Sequence, residues 1–506
     1  MPIAKFDALQ KLIKSLSKAE KRHFILYANR LTSNKEVLFL KMFSIIDGSI
    51  TKDESTVYRK LNPKSKDQFT NAKRHLYSQI LKSLRLQRAD ADKLRKRIDY
   101  ALILYEKGMY YESLSILDNI AISKPEHDNI HVLEVIELQK KIESRHITRS
   151  RLKNNKLDNL VKLSKTYSDL LSIETTMTNL SIEAQGAYIK WGFAKDEKDA
   201  MIYRAYFKNQ IPSYEYVKWT PTAVVLWHQS HVWYNYMRLD FHFCYKNAVQ
   251  WVQTMQSTPK MIDNDPDIYA RGFHYILTSC YYLNRPDKYV YWFKLYKVFR
   301  DAKYASFNVI SRQLDFCYYD NALLNNIIMT NDYSNISTLV NEIEVHIEEF
   351  RGQIDIARIM IFYYKIAITY SYTGEVGKAI DYLTKIIDNP DVQLRSEIIC
   401  YARLINLMCH YQLNNFNLVL NLLSSIRLSF ESNNQLNPVV DLMIGFLRKG
   451  SRAMNFGIDE LISTTFDKIS KYQQSRYDKV AFLYYDFTNW LLSISKGVSV
   501  EKIKRI

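Results

Sequence analysis

A chain of 506 residues with a formal net charge of +17 contains only 12 glycines and 10 prolines. These are roughly 2% each, where globular proteins average about 7% and 5%. Sheet-rich folds and nucleotide-binding α/β folds need glycine for turns, bulges and close approach to phosphate, so this composition argues against both and predicts an all-α protein.

The positive charge is concentrated at the start of the chain. Residues 1–100 contain 23 Lys and Arg against 10 Asp and Glu, a net charge of +13, and the rest of the chain carries only +4. We therefore predict a basic N-terminal helical domain (1–97), first helical repeats with long helices (98–211), and a repeat region (212–506). A localised basic region indicates a partner of opposite charge.

Capping signals place helices in the N-terminal domain. Three Ser or Thr residues are each followed three positions later by Glu or Gln, which is the pattern of a capping box. The pairs are Ser17 with Glu20, Thr51 with Glu54, and Ser65 with Gln68. We expect one helix over about 35–46 and a long helix over about 66–96.

Basic residues follow one face of the predicted long helix. At 100° per residue, Arg74, Lys82, Arg85 and Arg88 fall within an arc about 120° wide, apart from the apolar arc. The candidate contacts to nucleic acid or to an acidic partner are Lys66, Lys73, Arg74, Lys82, Arg85, Arg88, Arg95 and Arg97. A row of cations binds a phosphate backbone with strongly salt-dependent affinity. A solvated face, or a docking face for an acidic protein, explains the same pattern, and DNA, RNA and acidic protein stay open as partners.

A helix-turn-helix pattern recurs along the rest of the chain. Its best copies run from Leu104 to Pro125 and from Tyr370 to Pro390, with turns at Gly108 and Gly374. The later turns fall near residues 243, 284, 331, 374 and 414, which is a spacing of about 40 residues. A fixed period in this range predicts stacked helix pairs, or an α-solenoid.

The pattern resembles the tetratricopeptide-like (TPR-like) superfamily: an aromatic residue, a Gly or Asn turn, an aromatic residue, a small residue and a closing proline. The period of about 40 residues is longer than the usual 34, and the opening Trp-x-x-Leu-Gly of that family is missing. The resemblance implies a superhelix that binds proteins or peptides, and no binding residue transfers by position.

The sequence contains no motif for phosphate transfer or for a structural metal. Gly374-Glu-Val-Gly-Lys378 lacks the spacing and the Ser or Thr of a P-loop. The five cysteines are scattered and form no Cys-x-x-Cys pair, which is typical of buried thiols in a reducing compartment. We therefore expect no catalytic residue, no cofactor and no metal.

Aromatic residues crowd the region from Trp191 to Trp251, and they have two interpretations. Trp219, Trp227 and Trp233 are candidates for an aromatic binding surface, because exposed rings bind peptide side chains and bases. The favoured alternative is that they fill a core between irregularly packed helices. His228 and His231, with His242 and Cys244, have spacing that suits a metal, but their aromatic surroundings favour a packed core.

Two functions are compatible with these features. The first is a non-enzymatic scaffold or adaptor that binds a protein or peptide partner through its repeat surface. The alternative is a nucleic-acid-binding regulator that uses residues 1–97, with the repeats as a sensor or partner-binding module. No apolar run is long enough to span a bilayer, and Met1 to Phe6 has no apolar core of a signal peptide, so we expect a cytoplasmic protein without membrane association.

Overall fold

A computed structural model describes residues 6–31, 38–48, 53–91, 93–120, 129–146, 156–210, 219–389, 395–453 and 457–503. In these ranges the regular secondary structure is α-helix with short 3₁₀ helices, and there is no strand. The prediction of an all-α protein is confirmed for this part of the chain. The chain divides into two compact units, unit 1 (Met1–Leu171) and unit 2 (Ser172–Ile506).

Unit 1 is built from helices of 8 to 26 residues and the first part of one longer helix. They are α1 (Phe6–Ser15), α2 (Lys18–Leu31), α3 (Leu38–Asp47), α4 (Glu54–Leu61), α5 (Lys66–Ala91), α6 (Lys93–Glu106), α7 (Tyr110–Asp118), α8 (Asn129–Glu143) and the beginning of α9 (Lys156–Trp191).

Two apolar clusters hold unit 1 together. In the first, α1, α3 and α5 bury Leu9, Met42 and Leu76 completely. In the second, α6, α7 and α8 bury Ile98, Leu117 and Val135. Complete burial of one such side chain contributes about 1.5–3 kcal/mol, so these inward-facing residues fix which face of each helix remains exposed.

The capping predictions are confirmed at two helix starts. Ser17 N donates to Glu20 Oε2 at 2.7 Å, and Glu20 N donates to Ser17 Oγ at 3.2 Å. Ser65 Oγ accepts from Gln68 N at 3.1 Å, although the Gln68 side chain accepts from Lys64 N instead of Ser65 N. The third prediction needs correction: Thr51 lies outside the described residues, and Asp53 caps α4 by accepting from Thr56 N at 3.3 Å.

The long helix predicted over about 66–96 is found from Lys66 to Ala91 as α5. Asp92 lies outside the described residues, and the chain is helical again from Lys93, in the stretch labelled α6 that carries Arg95 and Arg97. The helix predicted over about 35–46 is found as α3.

Unit 2 contains the remainder of α9 and a long succession of helices. They are α10 (Glu197–Gln210), α11 (Pro221–Met237), α12 (Phe241–Ser257), α13 (Pro259–Asn264), α14 (Pro266–Tyr282), α15 (Pro286–Lys303), α16 (Val309–Thr330), α17 (Ile336–Glu349), α18 (Ile356–Thr373), α19 (Val376–Ile387), α20 (Ser396–Gln412), α21 (Phe416–Ser432), α22 (Pro438–Ala453), α23 (Ile458–Ser470), α24 (Val480–Tyr484) and α25 (Phe487–Lys496). No helix in the described ranges combines the length and the apolar character needed to cross a membrane.

Several helix pairs in unit 2 share one turn geometry. Asn284, Gly374 and Asn414 have positive φ angles of 49°, 85° and 60°, a region that Gly and Asn tolerate best. The residue after each turn donates its backbone N–H to the carbonyl five residues earlier, as Glu375 does to Tyr370 at 2.9 Å. This is the hydrogen bond of a Schellman motif, which satisfies the last carbonyls of a helix.

The turn predicted near Phe243 lies earlier. Leu239, with a φ of 58°, occupies the left-handed position, and Asp240 N donates to Asn235 O at 2.9 Å. Phe243 is in the first turn of α12. Pro125 and Pro390, which close the two best copies of the pattern, lie outside the described residues.

Alternate helices of unit 2 lie side by side. α14 packs against α16, α16 against α18, and α18 against α20. The intervening α15, α19 and α21 each pack against their own predecessor. Side chains of α14, α16, α18 and α20 that do not point into the core therefore lie next to one another.

Candidate functional site

Four of the predicted basic contacts lie exposed on α5. Lys66, Arg74, Lys82 and Arg85 are solvent-exposed, and none forms an ion pair within the described part of the chain. Arg88 belongs to α5, but its side chain lies outside the described residues. Because the apolar side of α5 is buried against α1 and α3, these cations face away from the core of unit 1.

The other predicted basic contacts have structural partners. Lys73 is only 9% exposed, and it forms an ion pair with Glu54 at the start of α4. Arg95 Nη1 lies 2.7 Å from Glu134 Oε2 of α8, and Arg97 Nη2 donates to the carbonyl of Ile116 at 3.3 Å. These three side chains link helices of unit 1, so the structure separates them from the exposed set on α5.

The turn between α4 and α5 adds cations that sequence analysis left out. Arg59, Lys60 and Lys64 are exposed and form no ion pair among the described residues. Asn62 in the left-handed conformation, with a φ of 46°, reverses the chain between the two helices. A cluster of positive residues around a tight turn was the available sequence signal.

The three predicted tryptophans are partly buried. The Trp219 and Trp227 rings meet edge to face with centroids 5.2 Å apart. Trp233 instead contacts Tyr188 at 5.3 Å and Tyr275 at 5.3 Å. Each ring is thus engaged with other rings of unit 2 and keeps part of its surface open to solvent.

The histidines beside these tryptophans are held by hydrogen bonds. His228 Nδ1 lies 3.0 Å from Asn247 Oδ1, and His231 Nδ1 lies 3.0 Å from the Trp227 carbonyl. Burial lowers the pKa of His231 to about 4. Cys244 is buried and donates to the Val232 carbonyl at 3.4 Å. Among the described residues, no three His, Cys, Asp or Glu side chains are grouped so that they could hold a metal ion.

A second group of cations lies on α14 and α18 around one tyrosine of α16. Arg271 Nε donates to the Tyr318 hydroxyl at 3.1 Å, the His274 ring lies 4.8 Å from the Tyr318 ring, and Arg358 Cζ lies 6.0 Å from it. Lys365 Nζ donates to Asn325 Oδ1 at 2.5 Å. We call Arg271, His274, Arg358 and Lys365 the basic cluster.

The surroundings of the basic cluster disfavour the charged forms of His274 and Lys365. Burial, together with the neighbouring Lys365, Arg358 and Arg271, lowers the pKa of His274 to about 3. Burial also lowers the pKa of Lys365 to about 7. All four side chains nevertheless keep partial contact with solvent. No carboxylate of the described chain forms an ion pair with Arg271, Arg358 or Lys365.

Residues 471–486, which we call the returning segment, connect α23 to α25 and contact helices far away in the sequence. Tyr477 Oη donates to Glu197 Oε2 of α10 at 2.6 Å. Arg476 Nε donates to the Arg238 carbonyl, in the turn between α11 and α12, at 3.1 Å. These contacts join residues more than 200 positions apart within unit 2.

The returning segment also packs on α18 and α20. The Tyr484 ring stacks on Tyr401 of α20 with centroids 4.0 Å apart, and its carbonyl accepts from Tyr364 Oη of α18 at 3.1 Å. Tyr485 Oη forms a hydrogen bond of 2.6 Å with Ser371 Oγ. This face of α18 and α20 therefore packs against a short helical piece of the chain that carries aromatic side chains.

Neither the basic cluster nor the returning segment is predicted from the sequence. Arg271 on α14, and Arg358 and Lys365 on α18, are isolated cations inside largely apolar and aromatic helices, a pattern that is also typical of residues at the edge of a core. The sequence signal was the pair of cations in α18, a helix that contains no acidic residue. Contacts across more than 200 residues have no local signal.

Comparison with known proteins finds no relative. No family model matches the chain, no curated protein matches it, and no solved structure matches it. The geometry of unit 1 and unit 2 therefore carries the functional argument.

Proposed function

We propose that this chain is a non-enzymatic, cytoplasmic helical-repeat scaffold of the TPR-like kind. In this proposal residues 212–506 form an α-solenoid, and the face of α18 and α20 beneath the returning segment binds a protein or peptide partner. The observation that carries the proposal is the stacking of Tyr484 on Tyr401 together with the hydrogen bond between Tyr364 Oη and the Tyr484 carbonyl. A surface that combines ring stacking with a hydrogen bond to a backbone carbonyl offers two kinds of contact to a bound peptide segment.

The spacing of the turns supports the repeat architecture. Left-handed residues recur at 239, 284, 331, 374 and 414, at intervals of 40 to 47 residues. Successive helix pairs pack against one another, as α14 does with α16 and α16 with α18, which is how solenoid repeats are stabilised. Partner binding is the common use of such surfaces, because the repeats present equivalent side chains in register.

A peptide-binding measurement tests this proposal. The full chain carrying Tyr477→Ala and Tyr484→Ala loses the aromatic anchors of the returning segment and exposes the face beneath it. We expect a labelled peptide of residues 471–486 to bind this variant saturably by fluorescence anisotropy. Adding Tyr401→Ala removes the stacking partner and weakens binding about tenfold, since an aromatic pair contributes about 0.5–1.5 kcal/mol beyond its buried area.

Two controls make the result decisive. Tyr291, which is 59% exposed on α15, provides Tyr291→Ala as a matched substitution outside the face. A peptide with the same composition in scrambled order checks that binding depends on sequence. If the folded variant shows no saturable binding, or binds both peptides equally, the face is not a peptide site.

The basic surface of unit 1 supports a second function, nucleic-acid binding. Lys66, Arg74, Lys82 and Arg85 are exposed and have no carboxylate partner in the described chain, and the turn before α5 adds Arg59, Lys60 and Lys64. Phosphate backbones bind such rows of cations by releasing counterions. The repeats of unit 2 then receive a protein or peptide signal.

Titration against labelled DNA and RNA at about 50 and 200 mM salt tests this second function. We expect binding that weakens steeply with salt. The triple variant Arg74→Glu, Lys82→Glu, Arg85→Glu should lose affinity and lower the salt slope by about 2–3, since each phosphate contact contributes about 0.9. The control triple, Lys294→Glu, Lys297→Glu and Lys449→Glu, changes the net charge equally at exposed sites of unit 2. If both triple variants lose the same affinity for nucleic acid, the loss comes from net charge and α5 is not a specific binding surface.

A further inference from the structure

The basic cluster concentrates positive charge that no ion pair of the described chain neutralises. Arg271 lies on α14, and Arg358 and Lys365 lie on α18, the two helices that pack on either side of α16, and no carboxylate of the described chain forms an ion pair with them. Elsewhere in unit 2 partly buried cations do have such partners: Arg300 Nε lies 2.6 Å from Asp315 Oδ2, and Arg395 Nε lies 2.5 Å from Glu397 Oε1. The acidic residues closest in sequence are Asp267 and Asp355, near the starts of α14 and α18.

Keeping these cations together is costly for the fold. Moving a charge out of water costs several kcal/mol unless an opposite charge compensates it. Tyr318 offsets part of this cost by accepting from Arg271 and by placing its ring beneath Arg358. A hydroxyl and a ring face carry no net negative charge, so the excess positive charge remains. Uncompensated charge of this kind clusters at binding sites.

The remaining donors suit an anion with several oxygens. Arg271 uses Nε for Tyr318, so its two terminal nitrogens keep their N–H groups, and Lys365 has one bond, to Asn325. His274 has no hydrogen-bond partner in the described chain and lies against Tyr318. Two guanidinium groups and an ammonium group match a dianion with three or four oxygens, because guanidinium binds such oxygens in pairs. A single carboxylate would leave most of these donors and charges unmatched.

We propose that the basic cluster binds a phosphate group, held by Arg271, Arg358 and Lys365, with His274 at the edge of the site. This site is separate from the face beneath the returning segment and does not depend on the scaffold proposal. The phosphate is either the free ion or the terminal group of a small phosphomonoester. Tyr281, which is partly exposed and whose ring lies 5.7 Å from Lys365 Nζ, offers a face on which an organic group would pack.

Calorimetric titration of the full chain with inorganic phosphate, sulfate and phenyl phosphate tests the proposal. Sulfate stays doubly charged across neutral pH, so any pH dependence of its affinity comes from protonation of the protein alone. We expect saturable binding of one anion, with chloride at equal ionic strength giving none. Tighter binding of phenyl phosphate identifies a phosphomonoester as the ligand, whereas equal affinity identifies the free ion. The absence of saturable binding by any of the three anions overturns the proposal.

Substitutions locate the binding. Arg271→Gln with Arg358→Gln should lower the affinity at least tenfold, while the exposed Arg312→Gln on α16 leaves it unchanged. If the double variant does not fold, Arg271→Lys with Arg358→Lys keeps the charge but loses the paired geometry, and should still weaken binding several-fold. Equal affinity in the folded cluster variants and in the control would place the anion elsewhere and overturn the assignment.

Proton uptake gives an independent measurement on the unmodified protein. Sulfate bound next to Lys365 favours its charged form, so binding near pH 8 should take up protons, seen as a dependence of the binding heat on the ionisation heat of the buffer. Lys365→Met should remove this dependence, and Lys297→Met, an exposed lysine of α15, should keep it. Sulfate binding without proton uptake in the unmodified protein would remove Lys365 from the site.

Discussion

Lys365 shows how one side chain links position in the fold to pH. It donates to Asn325 Oδ1 on α16 and lies 5.7 Å from the Tyr281 ring, with no acidic partner in the described chain. Burial lowers its pKa to about 7, whereas a lysine in an unfolded chain has a pKa of about 10.4. Between these two values the unfolded chain holds a proton that the folded chain has lost.

The sign of the pH effect follows from this difference. Since the unfolded state binds more protons above pH 7, Lys365 makes the free energy of unfolding rise with pH through this window and adds no slope below it. We subtract the free energy of unfolding of Lys365→Met from that of the unmodified protein. We predict that this difference increases from pH 7 to pH 9. The increase should stay below about 1.4 kcal/mol per pH unit, which is the limit for the release of one proton. Urea unfolding at pH 6, 7, 8 and 9 measures it, and Lys297→Met serves as the matched control.

Parallel stability curves for the unmodified protein and Lys365→Met would show that Lys365 stays charged in the folded protein. The neighbouring His274 does not confuse the result. Burial and the nearby cations hold its pKa at about 3, well below the window. Other groups titrate equally in both proteins and cancel in the difference.

At the scale of the element, the turn between α18 and α19 tests how a helix pair of unit 2 is specified. Gly374 has a φ of 85°, and Glu375 N donates back to Tyr370 O at 2.9 Å. A Cβ atom costs about 1–2 kcal/mol in this conformation, so Gly374→Ala should destabilise unit 2 by about that amount. Gly377→Ala is the control, because it lies inside α19 with no atom near the added Cβ. This change should instead stabilise by about 0.5–1 kcal/mol.

Thermal unfolding of both glycine variants measures the contrast. A loss of stability near zero in Gly374→Ala would mean that the backbone at residue 374 relaxes, and that the Schellman hydrogen bonds do not define this turn. The opposite signs predicted here require the positive φ to be kept.

The helices themselves were predictable because their signals are local. Ser17 with Glu20 marks the start of α2, and the apolar arc of Leu76 and Ile80 marks the buried side of α5. The errors arose where local signals mislead. Leu239 adopts a left-handed conformation that leucine rarely takes, so the turn before α12 was placed four residues too late. Asp53 caps α4, although the spacing of Thr51 and Glu54 in the sequence matches a capping box.

The candidate sites also differ in whether their residues have a local sequence signal. The exposed cations of α5 were predictable from helical spacing, whereas Lys73 was not separable from them, because its partner Glu54 lies on another helix. The basic cluster depends on α14, α16 and α18 lying side by side, and no local sequence pattern specifies that contact between helices. The packing of the whole unit decides which helices meet.

At the scale of the whole molecule, the returning segment makes unit 2 depend on contacts between distant parts of the chain. Tyr485, which is 2% exposed, forms a hydrogen bond with Ser371, and Asp486 N donates to Tyr372 Oη at 3.0 Å. Replacing a buried aromatic residue by alanine costs about 3–5 kcal/mol. We predict that Tyr485→Ala destabilises unit 2 by this amount, while the exposed Tyr291→Ala changes stability by less than about 0.5 kcal/mol.

Two optical probes separate the units in this experiment. All 7 tryptophans lie after residue 171, so their fluorescence follows unit 2, whereas far-ultraviolet circular dichroism follows the helices of both units. In Tyr485→Ala the fluorescence midpoint in urea should fall, and circular dichroism should show a second transition that stays where it is in the unmodified protein. If both probes shift together, the units unfold as one cooperative body, and the returning segment stabilises the whole chain instead of unit 2 alone.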